Sequence, residues 1–197
     1  MKPTDEELAI LKNDRFLRLK NEVSEKIIAY LAEIERALHQ EIKLADFQWP
    51  EGTFLKAGKI SKGEQYRGLP YFILDYPRLF TQKEVFAFRN MLWWGHHYSC
   101  TLHLQGPLLK RQKEAIAKNL LSQNDVYFCV NDQPWDYHYE SSNYLQIKDL
   151  ALTDILYQID INGFIKLSSF IPVDKWDEFY SFTLTSFARF LKCIHTL

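Results

Sequence analysis

Three cysteines, Cys100, Cys129 and Cys193, are all that the 197-residue chain carries, and no two form a CxxC pair. An odd, widely spaced set argues against a disulfide framework and against paired-thiol zinc sites. Free cysteines among aromatic and aliphatic neighbours behave as small buried hydrophobes, and a reducing cytoplasm is the compartment they fit. Glycine and proline number seven each, too few for a collagen-like or low-complexity chain. The longest apolar runs, such as Phe72 to Leu74 and Met91 to Trp94, fall far short of the roughly 18 residues needed to cross a bilayer. Met1 to Leu8 holds Asp5, Glu6 and Glu7 where a secretory signal needs a basic start and an apolar stretch. No membrane association is expected.

Charge of one sign is also missing: 24 basic side chains face 25 acidic ones. That balance disfavours nucleic acid as a partner, because a basic footprint usually dominates such proteins. The balance is not local. Residues 47 to 120 hold 11 basic and 5 acidic groups, residues 121 to 197 hold 5 and 10, so the folded chain either offsets them or presents two opposed surfaces.

What is present is a 47% apolar chain rich in aromatics, long enough to bury a core without disulfide or metal. We read it as one α+β domain over 1–197: a long helical segment over 1–46, a mainly β region with one helix over 47–171, and a C-terminal helix over 172–197. Thr4 and Glu7 form a capping-box pattern. Apolar residues then recur at helical spacing from Leu8 to Ile42, with Asn13 and Asp14 as a break. An uninterrupted helix from Arg15 to Lys43 is a rod of about 43 Å, whose stripe either lies across the sheet or pairs with a second copy as a homodimer.

Extended segments over Phe54 to Ile60 and Arg67 to Tyr76 flank a turn at Lys62 and Gly63, with Pro70 marking an edge strand. Val85 to Trp94 is too apolar for periodicity to decide, and we favour a strand. Tyr98 to Gln105 alternates strictly. Leu108 to Leu121 reads as a helix, Val126 to Val130 as a strand, and Asn162-Gly163 as the turn of a hairpin between Ile155 to Ile161 and Phe164 to Ile171. Pro172 and Asp174 open a final helix with Trp176, Phe179, Phe187 and Phe190 on its apolar face. The expected architecture is an antiparallel sheet built from hairpins, packed against a long N-terminal helix, a middle helix and an aromatic C-terminal helix.

Chemistry-bearing motifs are scarce. KAGKISKG, Lys56 to Gly63, lacks phosphate-loop spacing, and there is no GxSxG elbow. No cofactor is expected. His97 and His103 lie six residues apart on one strand, about 20 Å, too far to share a metal ion, so no metal site is assigned.

A two-residue turn at Gly95-His96 places Met91, Trp93 and Ala87 with Tyr98, Cys100, Leu102 and Leu104 on a core face. It leaves Phe88, Asn90 and Trp94 with His97, Ser99, Thr101 and His103 on the opposite one. Aromatic walls with a few placed polar groups are what ligand pockets contain. Trp135, Asp136, His138 and Glu140, from the polar aromatic loop over Asn131 to Ser142, are added as a rim or partner contact. These residues point to a binding or interaction protein taking a small ligand or a protein partner. The alternative is a hydrolase-like enzyme in which His97, His103 or His138 is a general base oriented by Asp136 or Glu140. The two separate on whether a base and a carboxylate meet in one cleft.

Overall fold

The computed structural model describes residues 2–195. Helix α1 (Asp5–Leu11) carries the Thr4/Glu7 capping box, with Thr4 Oγ1 accepting from the Glu7 N–H and Glu7 accepting from the Thr4 N–H. Asn13 ends that turn and caps α2 (Asp14–Leu44), accepting from the Phe16 N–H at 3.0 Å. The buried stripe of α2 is Ile27, Leu31, Ile34, Leu38 and Ile42, spaced three and four apart as one helix face requires.

Strands β1 (Lys59–Tyr66), β2 (Leu69–Phe80), β3 (Val85–Trp93) and β4 (His97–Gln105) form an antiparallel meander. After α3 (Pro107–Leu120) come β5 (Tyr127–Cys129), β6 (Tyr144–Gln146), α4 (Leu152–Asn162), β7 (Phe164–Pro172) and α5 (Phe179–Ile194). Among the described residues the seven strands make one antiparallel sheet in the order β1-β2-β3-β4-β7-β5-β6. The α+β class and the helices at both ends agree with the sequence reading. Helices α2, α3, α4 and α5 cover one face, against Phe72, Leu74, Phe86, Phe88, Tyr98, Leu102, Ile165 and Leu167. Phe88 meets Phe187 at 5.1 Å and Tyr98 stacks on Phe179 at 4.3 Å. No helix among the described residues is long and apolar enough to cross a membrane.

Five local expectations are corrected. The first hairpin turns at Arg67-Gly68, both at positive φ, the pattern a two-residue type I′ turn needs, and not at Lys62-Gly63. Gly63 lies inside β1, where a Cβ would come within 2.6 Å of the Tyr71 ring, so its small size serves a close approach. Phe54 makes only an isolated bridge to Arg78. Pro70 is not on an edge strand: β2 is flanked by β1 and β3, and Pro70 sits where the β1 register shifts between Gly63 and Tyr66.

The Asn162-Gly163 hairpin does not form. Residues from Leu152 to Asn162 are helical, with Ile155 and Ile159 buried one turn apart, and Gly163 at φ 68° is the left-handed C-cap. A glycine with positive φ serves a hairpin turn and a helix C-cap equally, so the dipeptide alone cannot choose.

The fifth correction decides the site. Trp93 pairs with His97, so the turn has three residues, Trp94 to His96, with Gly95 at φ 73° and the His96 N–H donating to the Trp93 carbonyl. The register therefore differs by one residue from the two-residue turn. In a strand that moves every β3 side chain to the other face.

Candidate functional site

Because of that shift, Phe88, Asn90 and Trp94 belong to the helix-covered face and not to the site. Phe88 is buried against α5, and Trp94 stacks near Phe72 at 6.5 Å. Asn90 accepts from Cys100 Sγ at 3.2 Å and from the Tyr98 hydroxyl at 3.3 Å, which in turn lies 2.7 Å from Thr183 Oγ1. Burial there pushes the Cys100 thiol up to about 12, so it has no nucleophilic character at neutral pH.

His97, Ser99, Thr101 and His103 do share the opposite face, as expected. Their β3 companions are Trp93, Met91, Arg89 and Ala87. The ladders then set two polar rows across the sheet. One runs Asp75, Arg89, Thr101, Ser168, and the other runs Ala87, His103, Lys166. Asp75, Arg89, Lys166 and Ser168 were missed from sequence. The legible signals were a lone arginine in the apolar run Val85 to Trp93, and Lys166 and Ser168 alternating with Ile165 and Leu167.

Asp75 holds Arg89 in a two-pronged pair at 2.7 and 2.8 Å, and Arg89 Nη1 donates to the Tyr137 hydroxyl at 2.8 Å. Burial opposes the guanidinium charge, but the Asp75 fork and Tyr137 outweigh it and hold Arg89 above its usual pKa. Thr101 Oγ1 lies 2.7 Å from Ser168 Oγ, which also bonds the Tyr139 hydroxyl and donates to the Cys100 carbonyl at 3.2 Å.

Lys166 is 0% exposed. Its ammonium donates to the Asp136 carbonyl and lies 4.9 and 5.2 Å from the ring centres of Tyr137 and Tyr144. No carboxylate among the described residues comes within ion-pair distance of it. Burial lowers its pKa to about 8, yet it stays mostly cationic at neutral pH. Asp75 offsets Arg89, whereas Lys166 has no carboxylate at ion-pair distance and only the longer-range attraction of Asp136 to offset its charge.

Beside it, both ring nitrogens of His103 are buried without a hydrogen-bond partner. Burial first, then the charges of Lys166 and Arg89, lower its pKa to about 3. His97 Nε2, Ser99 Oγ and Trp93 Nε1 are unpartnered on the same face. Burial, with His96 beside it, lowers His97 to about 4. Both imidazoles are neutral at pH 7.

The cover is the stretch from Asn131 to Asn143, which has neither helix nor strand. Uninterrupted irregular segments of this length are commonly binding loops or lids. Tyr137 and Tyr139 reach down to Arg89 and Ser168. The Tyr66 hydroxyl accepts from the Tyr137 and His138 N–H groups at 2.6 and 3.1 Å, and Asn143 Nδ2 donates to the His138 carbonyl. Trp135, 52% exposed, lies 5.5 Å from the His103 ring and 5.8 Å from the Arg89 guanidinium.

Asp136 contributes its carbonyl to Lys166, while its carboxylate accepts from Asn131 Nδ2 at 3.3 Å. Glu140 is at the rim, paired with Arg67. His138 Nδ1 is 3.6 Å from Glu140 Oε2, too long for a hydrogen bond. Thus no candidate imidazole hydrogen-bonds a carboxylate. Among the described residues no group of three or more His, Cys, Asp or Glu is placed to hold a metal ion.

No family model, curated protein or solved structure matches this chain.

Proposed function

We propose that this protein is a binding module for a small organic anion, a carboxylate on a planar or aromatic body. The ligand is taken up on the loop-covered face, between Lys166 and His103 on the sheet and Trp135 and Tyr137 on the loop. The carrying observation is Lys166, a fully buried ammonium with no carboxylate at ion-pair distance, next to an imidazole with two unpartnered nitrogens. A buried unpaired charge costs several kcal/mol, and buried polar atoms without partners are rare in folded proteins. An anion meeting Lys166 neutralises the wall, and a polar substituent reaching His103 uses its free nitrogens. Trp135, half exposed over His103 and Arg89, is the piece of the cover that the ligand must displace.

Acid/base hydrolysis has no comparable support: a general base needs an oriented partner within hydrogen-bond reach, and none of the three histidines has one. The test is titration with benzoate while following histidine ring resonances by NMR, in the wild-type chain and in Lys166→Met. Saturable movement of the His103 signals, lost in Lys166→Met and weakening as pH rises through about 8, is the expected result. Unmoved His103 signals in the wild type at millimolar benzoate, or equal binding by Lys166→Met, overturns the proposal.

A further inference from the structure

The polar row of Ala87, His103 and Lys166 does not end at Ala87. Arg78 of β2 is the Cα partner of Ala87, and Phe54 bridges to Arg78 in turn. Directly opposed residues of antiparallel strands share a face. Arg78 therefore stands on the side of His103 and Lys166, toward the β1 edge, although the β2–β3 register shifts between Asp75 and Arg78. Three strand intervals separate Arg78 from Lys166 along this row, a Cα span of about 14 Å, and Ala87 puts only a methyl between Arg78 and His103.

Arg78 is left short of partners in the same way as Lys166. Its Nε is buried without a hydrogen-bond partner, and no carboxylate among the described residues comes within ion-pair distance of it. Its guanidinium carbon lies 4.6 Å from the Phe54 ring centre. A ring face supports the cation but offers no pair of oxygens to the guanidinium fork. Arg89 differs, because Asp75 already fills its fork. Around Arg78 the surface is aromatic: Phe54, Phe80 and Trp135 are 40% to 52% exposed, and Trp135 lies 6.2 Å from Phe80 and 5.5 Å from His103.

We propose, resting on the anion-binding reading above, that the ligand is a diacid: a planar body whose second carboxylate, at the end remote from Lys166, is taken by Arg78. Once Trp135 is displaced, the body lies over Ala87 and His103 with a cation at each end of the row. The exposed rings beside Arg78 flank its outer half. Arg78 is then the residue that selects diacids over monoacids, because a guanidinium left without an oxygen partner gains most from a carboxylate.

Isothermal titration of the full chain with cinnamate and with para-carboxycinnamate, which differ only in the second carboxylate, tests it. The wild type is expected to hold the diacid about tenfold or more tightly than the monoacid. In Arg78→Met that advantage disappears, whereas Arg78→Lys, which keeps the charge, keeps part of it. Equal affinity of the wild type for the two acids overturns this proposal and leaves the single-anion site standing. An advantage that survives in Arg78→Met overturns it as well. If neither acid binds the wild type, both this proposal and the reading it rests on are overturned.

Discussion

The two faces of the sheet are built on opposite terms. Under the helices the wall is aromatic and aliphatic, and its polar atoms, those of Tyr98, Cys100, Thr183 and Asn90, bond chiefly to one another. Under the 131–143 loop the wall carries two cations, two neutral imidazoles and a chain of hydroxyls, several without partners. The first arrangement lowers the energy of the folded chain. The second raises it at Lys166, His97 and His103, and groups that cost stability are retained where a protein uses them.

Truncation on the helix-covered face should show the largest effect. Phe88→Ala removes a fully buried ring against α5 and is expected to cost about 3–5 kcal/mol in denaturant unfolding. On the other face, Asp75→Ala leaves the Arg89 charge buried and unpaired, with an expected loss of about 3 kcal/mol or more; a loss under about 1 kcal/mol would show that water reaches this pair.

Acid distinguishes the faces next, since the loop-covered one holds both depressed imidazoles. Folded His97 and His103 take up protons only near pH 4 and 3, whereas the unfolded chain does so near 6.5. Stability is therefore full above pH 6.5 and is lost on acidification through that window, by about 1.4 kcal/mol per unit of depression. His103→Phe should flatten this dependence, measured by thermal melts at stepped pH. An unchanged slope would place the acid sensitivity elsewhere.

Lys166→Met sharpens the contrast in the opposite direction. Exchanging an unpaired buried ammonium for a thioether of similar length is expected to raise stability at pH 7 by about 1–3 kcal/mol. The wild type should recover part of this gap between pH 8 and 10.5, where the folded chain holds fewer protons than the unfolded one. A strong loss of stability in this variant would make Lys166 a structural group. The smallest effect is at the rim: Glu140→Gln breaks an exposed pair with Arg67, which solvent screens almost completely. It should leave global unfolding unchanged while speeding hydrogen exchange at the Tyr137 and His138 amides.

The errors of the sequence reading are instructive because each is small in residues and large in space. The alternation of His97, Ser99, Thr101 and His103 was legible and put them on one face correctly. The turn length at Gly95 was not, because a glycine with positive φ suits both two- and three-residue turns. One residue of slip exchanged Arg89 for Asn90 and Trp93 for Trp94 as site members. In the loop, Asp136, His138 and Glu140 are legible as candidates, but Tyr137 and Tyr139 between them reach the sheet while Glu140 stays at the rim. Lys166 is hidden from the sequence because Asn162-Gly163 suits a hairpin, which would pair β7 with Ile155 to Ile161 and not with β4.

From the order of residues alone came the α+β class, the split at Asn13, the capped first helix, the alternating strand after Gly95 and the aromatic last helix. These follow from capping and periodicity, which act between residues a few positions apart. The partnership of Asp75 with Arg89, the charge of Lys166 beside His103, and the loop laid over both were decided only by the assembled sheet. Those contacts join residues many positions apart, and their register depends on turn geometry that local preferences leave degenerate.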